Sequence, residues 1–190
     1  MRNPDPRPTP IRSGSFATAL FVLSTLVYPA LPARADETSA AALLAPFKRD
    51  LQQALKSGLA KGPVEAIDTC RMEAPKIAEA RGHAGLRVGR TSHRLRNPAN
   101  ASPSWVEPVL AAYLENTTDR EPREIKLPGG RKGYVEPILT QALCLTCHGS
   151  SLAPEVSERL AERYPEDHAT GFAEGDLRGV FWIELPAQDQ

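Results

Sequence analysis

Cys144-Leu145-Thr146-Cys147-His148 sets what the rest of the chain has to build around. In C-x-x-C-H, two thiols spaced by two residues reach one edge of a porphyrin and add across its vinyl groups. The adjoining imidazole swings beneath the ring and supplies one axial nitrogen to the iron. A C-x-x-C alone also serves as a redox dithiol or as half of a zinc site. Zinc needs two more Cys or His at ligand spacing, but the only other Cys is Cys70, and His168 stands among loop residues well past His148. A thioredoxin-like dithiol sits early, after a first strand; this motif sits late. The expectation is therefore one haem c, attached through Cys144 and Cys147, with His148 on the iron.

The N-terminus agrees with that chemistry. Arg2, Arg7 and Arg12 precede an apolar run from Phe16 to Tyr28 and then Ala33-Arg34-Ala35, the pattern of a secretory signal peptide; the alternative is an uncleaved anchor. The apolar run is short for a membrane span, and no later stretch is apolar enough for one. Residues 1–35 are read as the signal and 36–190 as a single domain, placed in the periplasm. Removing the signal takes away Arg2, Arg7, Arg12 and Arg34 against Asp5 alone, so a chain with 23 basic and 23 acidic residues is left with a charge near −3. Such a balance gives no overall footprint for nucleic acid or anionic lipid. With Cys144 and Cys147 used as thioethers, Cys70 is a lone thiol in an oxidising space, and it needs burial or metal to protect it.

Along the chain, Asp36 or Thr38 is a candidate cap for a first helix carrying Leu44, Phe47, Leu51, Leu55 and Leu59 at three- and four-residue steps. Pro46 suggests that its regular part begins there, and Gly58 and Gly62 are expected to close it. Pro63 opens a second helix with Val64, Ile67, Cys70, Ala74 and Ile77 on one stripe, and Pro75 is expected to kink or split it after Glu73. Leu86 to Ser92 alternates as a strand, and a third helix starts near Ser104. Glu124–Leu127 and Gly133–Leu139 flank Pro128-Gly129-Gly130 as a hairpin. A short helix over Pro154–Arg163 and a last strand over Leu177–Leu185 follow the haem motif. This order predicts an α+β domain: N-terminal helices, then an antiparallel sheet with helices packed on one face and the cofactor between them.

Neither common cytochrome pattern fits. Small carriers place the motif near the N-terminus and take a downstream Met, but Met72 lies upstream on the polar side of its helix. Four-helix cytochromes end on the motif helix, whereas here 42 residues follow His148 and finish in a strand. The second axial position is open to Cys70, Met72, His83, His93 and His168. Cys70 lies on a core-facing stripe, where a small apolar filler also suits. His83 and His168 sit among loop residues, and His93 follows a strand. Arg87, Arg90, Arg94 and Arg96 crowd one segment; a solvated strand edge explains them, and so does pairing with propionates, for which Arg90 is the choice. Trp105, Tyr134 and Trp182 read as core.

Several blocks in fixed order resemble the PAS-like c-type haem domain family. They are Gly62-Pro63-x-x-Ala66-Ile67-x-x-Cys70, Ala74-Pro75, Val88-Gly89-Arg90-Thr91-Ser92, Arg96-Asn97-Pro98-Ala99-Asn100 and the haem motif with Gly149. The last runs from Tyr164-Pro165-x-Asp167-x-Ala169 through Gly171 and Gly175-Asp176 to Arg178-Gly179. The resemblance implies a PAS-like core over about residues 62–185, with the iron held by His148 and Cys70. It departs from the family at Asp68-Thr69 and at His93.

A thiolate stabilises ferric iron and lowers the reduction potential relative to His/Met ligation. A ligand that detaches on reduction would make a two-state switch, leaving a place for CO or NO. The expected function is a periplasmic sensor of redox state or of a diatomic gas, or a low-potential electron carrier, working with a redox or signalling partner. A haem enzyme of peroxidase or reductase type, with a labile sixth ligand, is the alternative.

Overall fold

The structure, a computed structural model, describes residues 39–187. The signal pattern and the expected caps Asp36 and Thr38 lie outside the described residues. Helix α1 runs over Ala40–Leu59, capped by Ser39, whose Oγ accepts the Ala42 N–H at 3.2 Å. Pro46 does not mark its start. Leu44 and Phe47, fully buried on either side of the proline, hold the helix through it. Nor does Gly58 close it. It lies inside α1, where a Cβ would stand 2.6 Å from the Ala66 Cα, so its bare backbone is what lets the next helix pack close.

That helix, α2, covers Pro63–Arg81 with Pro63 in its first turn. Pro75 does not split it: Ala74, Ile77 and Ala78 pack into the same apolar cluster as Leu44, Phe47 and Leu51, and that burial carries the helix past the proline. Strands β1 (Arg87–Thr91), β2 (Arg123–Lys126), β3 (Lys132–Leu139) and β4 (Leu177–Leu185) form one antiparallel sheet in the order β1-β4-β3-β2. The Pro128-Gly129-Gly130 turn joins β2 to β3 as expected. Helices α3 (Glu107–Glu115), α4 (Leu145–His148) and α5 (Pro154–Arg163) complete the elements. Among the described residues no helix is long and apolar enough to cross a membrane.

The α+β class and the antiparallel sheet are as expected, but helices cover both faces of the sheet rather than one. Ile183, Phe181 and Leu185 of β4 pack with α1 and α2, while Val180 and Trp182 pack with Val106, Val109, Leu110 and Tyr113 on the α3 side. β4 is an inner strand with apolar residues on both sides, and each side has to be covered. Leu44, Phe47 and Leu51 also place α1 within the hydrophobic core.

One irregularity in the sheet bears on the site. Ile138 pairs with Gly179 and Leu139 with Leu177, so Arg178 has no residue opposite it. Gly179 makes this bulge possible: its φ is +154°, and a Cβ there would lie 2.1 Å from the Thr91 carbonyl oxygen. As a result Leu177 and Val180 both serve the α3 core, while Arg178, with Phe181, lines the cavity on the opposite face.

Candidate cofactor site

A cavity of about 580 Å³ opens between α1, α2, the β1 and β4 side of the sheet, and the motif turn, well within the size range of cofactor sites. Its apolar lining includes Leu51, Leu55, Ile67, Ala74 and Phe181. Cys70, Cys144, Cys147, His148 and Arg90 all line it. Met72, His83, His93 and His168 do not, and all four are exposed, Met72 at 55 %. Of the second-ligand candidates read from the sequence, Cys70 alone shares this cavity with His148. Among the described residues no cluster of three or more His, Cys, Asp or Glu is arranged to hold a metal ion without a further cofactor.

The motif is wound as a single coil. A 3-10 turn over Ala142–Cys144 runs into α4, so two thiols and an imidazole leave successive turns of one short segment. Cys147 packs beside Ile67 of α2, Val156 and Leu160 of α5, and Tyr164. Arg163 of α5 pairs with Asp68 of α2 at 2.9 Å, tying the two helices together next to the motif. None of the three cysteines is in a disulfide among the described residues. Burial pushes the Cys70 thiol up against the opposing pull of Arg90 and Arg96, and burial likewise raises Cys147 against Arg96.

The His148 ring is held from behind. Its Nδ1 lies 2.6 Å from the Ala169 carbonyl oxygen. A carbonyl only accepts, so Nδ1 carries the proton and Nε2 keeps its lone pair, the tautomer of a metal ligand. Burial, with the cations of Arg178 and Arg96 nearby, pushes the imidazole down to about 2, so it stays neutral.

Behind Ala169 stands Arg96. Its Nε donates to Asp167 at 3.0 Å, and both side chains are largely buried, 13 % and 10 % exposed. A second nitrogen donates to the Cys147 carbonyl and, at 3.3 Å, to the Ala169 carbonyl. Asp167 in turn accepts the Ala169 N–H at 2.7 Å. One guanidinium thus fixes both the motif backbone and the carbonyl that orients His148.

Arg90 and Arg178 are the cavity's inward cations. Neither has a carboxylate partner among the described residues. Arg178 is tied at both ends by Ser92, which donates to its carbonyl at 2.6 Å and accepts from its guanidinium at 3.1 Å. Burial and the neighbouring Arg96 and Arg90 push Arg178 down to about 10 against the opposing pull of Asp167, the response of a buried cation crowded by other cations.

Tested against these residues, haem fits. Two thiols stand beside an imidazole with a free Nε2, a third thiol comes from α2, the walls are apolar, and two unpaired guanidiniums can receive two carboxylates. Arg96, Asp167, Ala169 and Arg178 carry roles that sequence reasoning did not assign. All four lie in recognisable blocks, but nothing local marks a loop carbonyl as the partner of an imidazole. Arg178 falls on the wrong face by simple alternation.

The family model described as Tll0287-like (Tll0287) matches residues 32–186. No curated protein matches the chain. Among solved structures, the cyanobacterial heme-protein Tll0287 is similar with a TM-score of 0.57 and 24 % identity, over 77 % of this chain and 94 % of that one.

Proposed function

The chain belongs to the Tll0287-like family, and from that premise we propose that it is an exported c-type haem protein whose iron is held between His148 and Cys70. The observation that carries this reading is that Cys70 of α2 and the Cys144-x-x-Cys147-His148 motif line one cavity, with an unpaired Arg90 and Arg178 beside them. The solved relative's description as a heme-protein supports the same cofactor.

Bound haem supplies one-electron chemistry between ferric and ferrous iron. The chain's residues do the rest. Cys144 and Cys147 would hold the group covalently through their sulfurs. His148 offers Nε2 while Ala169 holds Nδ1–H. Arg90 and Arg178 take the propionates. Cys70 gives an anionic sulfur, which favours ferric iron and sets a low potential. With haem bound, Cys70 would be the side of the iron whose hold weakens on reduction, and the role would be redox sensing, sensing of CO or NO, or electron transfer at low potential. The signal pattern over residues 1–35 supports a periplasmic setting, and the domain is PAS-like in our reading of the sequence blocks.

Cys70→Ala tests the proposal. The ferric absorption and electron paramagnetic resonance spectra should lose their thiolate signature, and the reduction potential should rise. Unchanged spectra would remove sulfur from the iron.

A further inference from the structure

The cavity wall carries seven basic side chains and no carboxylate, in a chain whose basic and acidic residues are equal in number. Lys48 is used by Glu136 and Arg96 by Asp167. If Arg90 and Arg178 take two propionates, three cations remain at the mouth: Arg49 and Lys56 on α1 and Arg71 on α2. All three are exposed and without a carboxylate partner among the described residues. Arg49 and Lys56 are seven residues apart, which places them on one stripe of α1. Two leucines that the fold leaves in water, Leu139 at 40 % and Leu143 at 50 % exposure, line the same cavity.

From this asymmetry, and resting on the haem reading above, we propose that the α1/α2 mouth of the cavity is the docking surface for an acidic one-electron carrier protein. A partner with carboxylates around its own redox centre is steered to Arg49, Lys56 and Arg71, while Leu139 and Leu143 give the encounter its small apolar contact. The partner loses one electron and the iron of this protein gains it, with no atom transferred. Charge complementarity favours protein over the two other anionic surfaces. Three exposed cations fall short of the cluster of about four to eight basic residues that reads as a lipid-binding patch. They also fall short of the row of about six to ten phosphate contacts that gives nucleic-acid binding its steep salt dependence.

The test uses the haem-loaded protein and its Arg49→Glu/Lys56→Glu/Arg71→Glu variant. Binding is measured by isothermal titration calorimetry against a plant-type [2Fe–2S] ferredoxin, an acidic carrier, at low and at high salt. Electron-transfer rates are measured with anionic Fe(EDTA) and cationic hexaammineruthenium. The wild type should bind the ferredoxin and lose about tenfold or more in affinity as salt rises and the Debye length shrinks. It should also react faster with the anionic reagent. The variant should lose ferredoxin binding and invert the preference between reagents, with its optical spectrum unchanged and its reduction potential measured so that the rates are compared at equal driving force. The Arg49→Gln/Lys56→Gln/Arg71→Gln variant should fall between the two. Equal binding by wild type and variant, rates indifferent to reagent charge, or tighter binding to vesicles of anionic lipid than to ferredoxin would each overturn the proposal. The haem reading fails separately, by absence of a pyridine haemochrome spectrum, and the calorimetric comparison still reports on the surface in that event.

Discussion

His148 and Ala169 meet at 2.6 Å, imidazole Nδ1 to carbonyl oxygen, across a gap of 21 residues in the chain. That contact is only as firm as the loop behind it, and the loop is held by the buried Arg96–Asp167 pair. Replacing Arg96 by Gln leaves the Asp167 carboxylate buried without its cation. Breaking a buried pair in this way costs about 3–5 kcal/mol. Denaturant titration should show a loss of that order, and Asp167→Asn, which leaves a neutral group behind, a smaller one. In the haem-loaded protein Arg96→Gln should also broaden the signals that report imidazole orientation, a change that instability alone would not give.

Arg90 and Arg178 place positive charge against the site with no carboxylate to offset it. Positive charge disfavours the more positive iron. Arg178→Gln and Arg90→Gln should therefore each lower the reduction potential, by tens of millivolts on a scale where about 59 mV is a tenfold change for one electron. Spectroelectrochemical titration checks the direction. Loss of either guanidinium also leaves a propionate without its cation, which acts in the same direction, so a rise would mean that neither arginine lies near the propionates.

Gly58 is a packing residue rather than a helix stop. Gly58→Ala would gain about 1 kcal/mol in helix propensity but would push a methyl group to 2.6 Å from the Ala66 Cα, a backbone atom that yields only if α2 moves. Overpacking of this kind costs about 1–3 kcal/mol. Thermal unfolding should show a net loss, and Gly58→Val a larger one.

Tyr113, Tyr134 and Tyr164 are all held above the usual phenol range, in each case chiefly by burial. The folded protein thus keeps these protons to higher pH than the unfolded chain does. Their contribution is complete below the unfolded value near 10 and is lost as pH rises through the folded values. The denaturation midpoint should fall between about pH 10 and 12. Tyr113→Phe should reduce the slope of that fall, while lowering stability at neutral pH through loss of its bond to the Glu121 carbonyl.

The local rules read well wherever the chain's own pattern decided the outcome. The strand Leu177–Leu185, the helix Pro154–Arg163 and the Pro128-Gly129-Gly130 turn lie where composition and turn residues put them. The same rules failed where tertiary contact outweighed a local signal. Pro46 and Pro75 sit inside intact helices because apolar residues around each are buried against the sheet. Gly58 answers to Ala66, a residue of another helix. In the candidate site the motif and Cys70 were legible as chemistry and as stripe. The Arg96–Asp167–Ala169 support was not, since it consists of backbone acceptors whose positions exist only once the loop has folded.

The unmatched residue between β3 and β4 makes the sidedness of a full positive charge depend on a single glycine. Put at position 179 a residue that cannot hold a φ of +154°, and regular alternation over the same residues carries the guanidinium of residue 178 into the apolar layer shared by Val180 and Trp182, stripping the opposite wall of a cation. Deletion of that glycine is the milder change, since it leaves Leu177 and Val180 on one side and the guanidinium between them on the other. In descendants of this sequence the glycine should stay fixed longer than the identity of its neighbours.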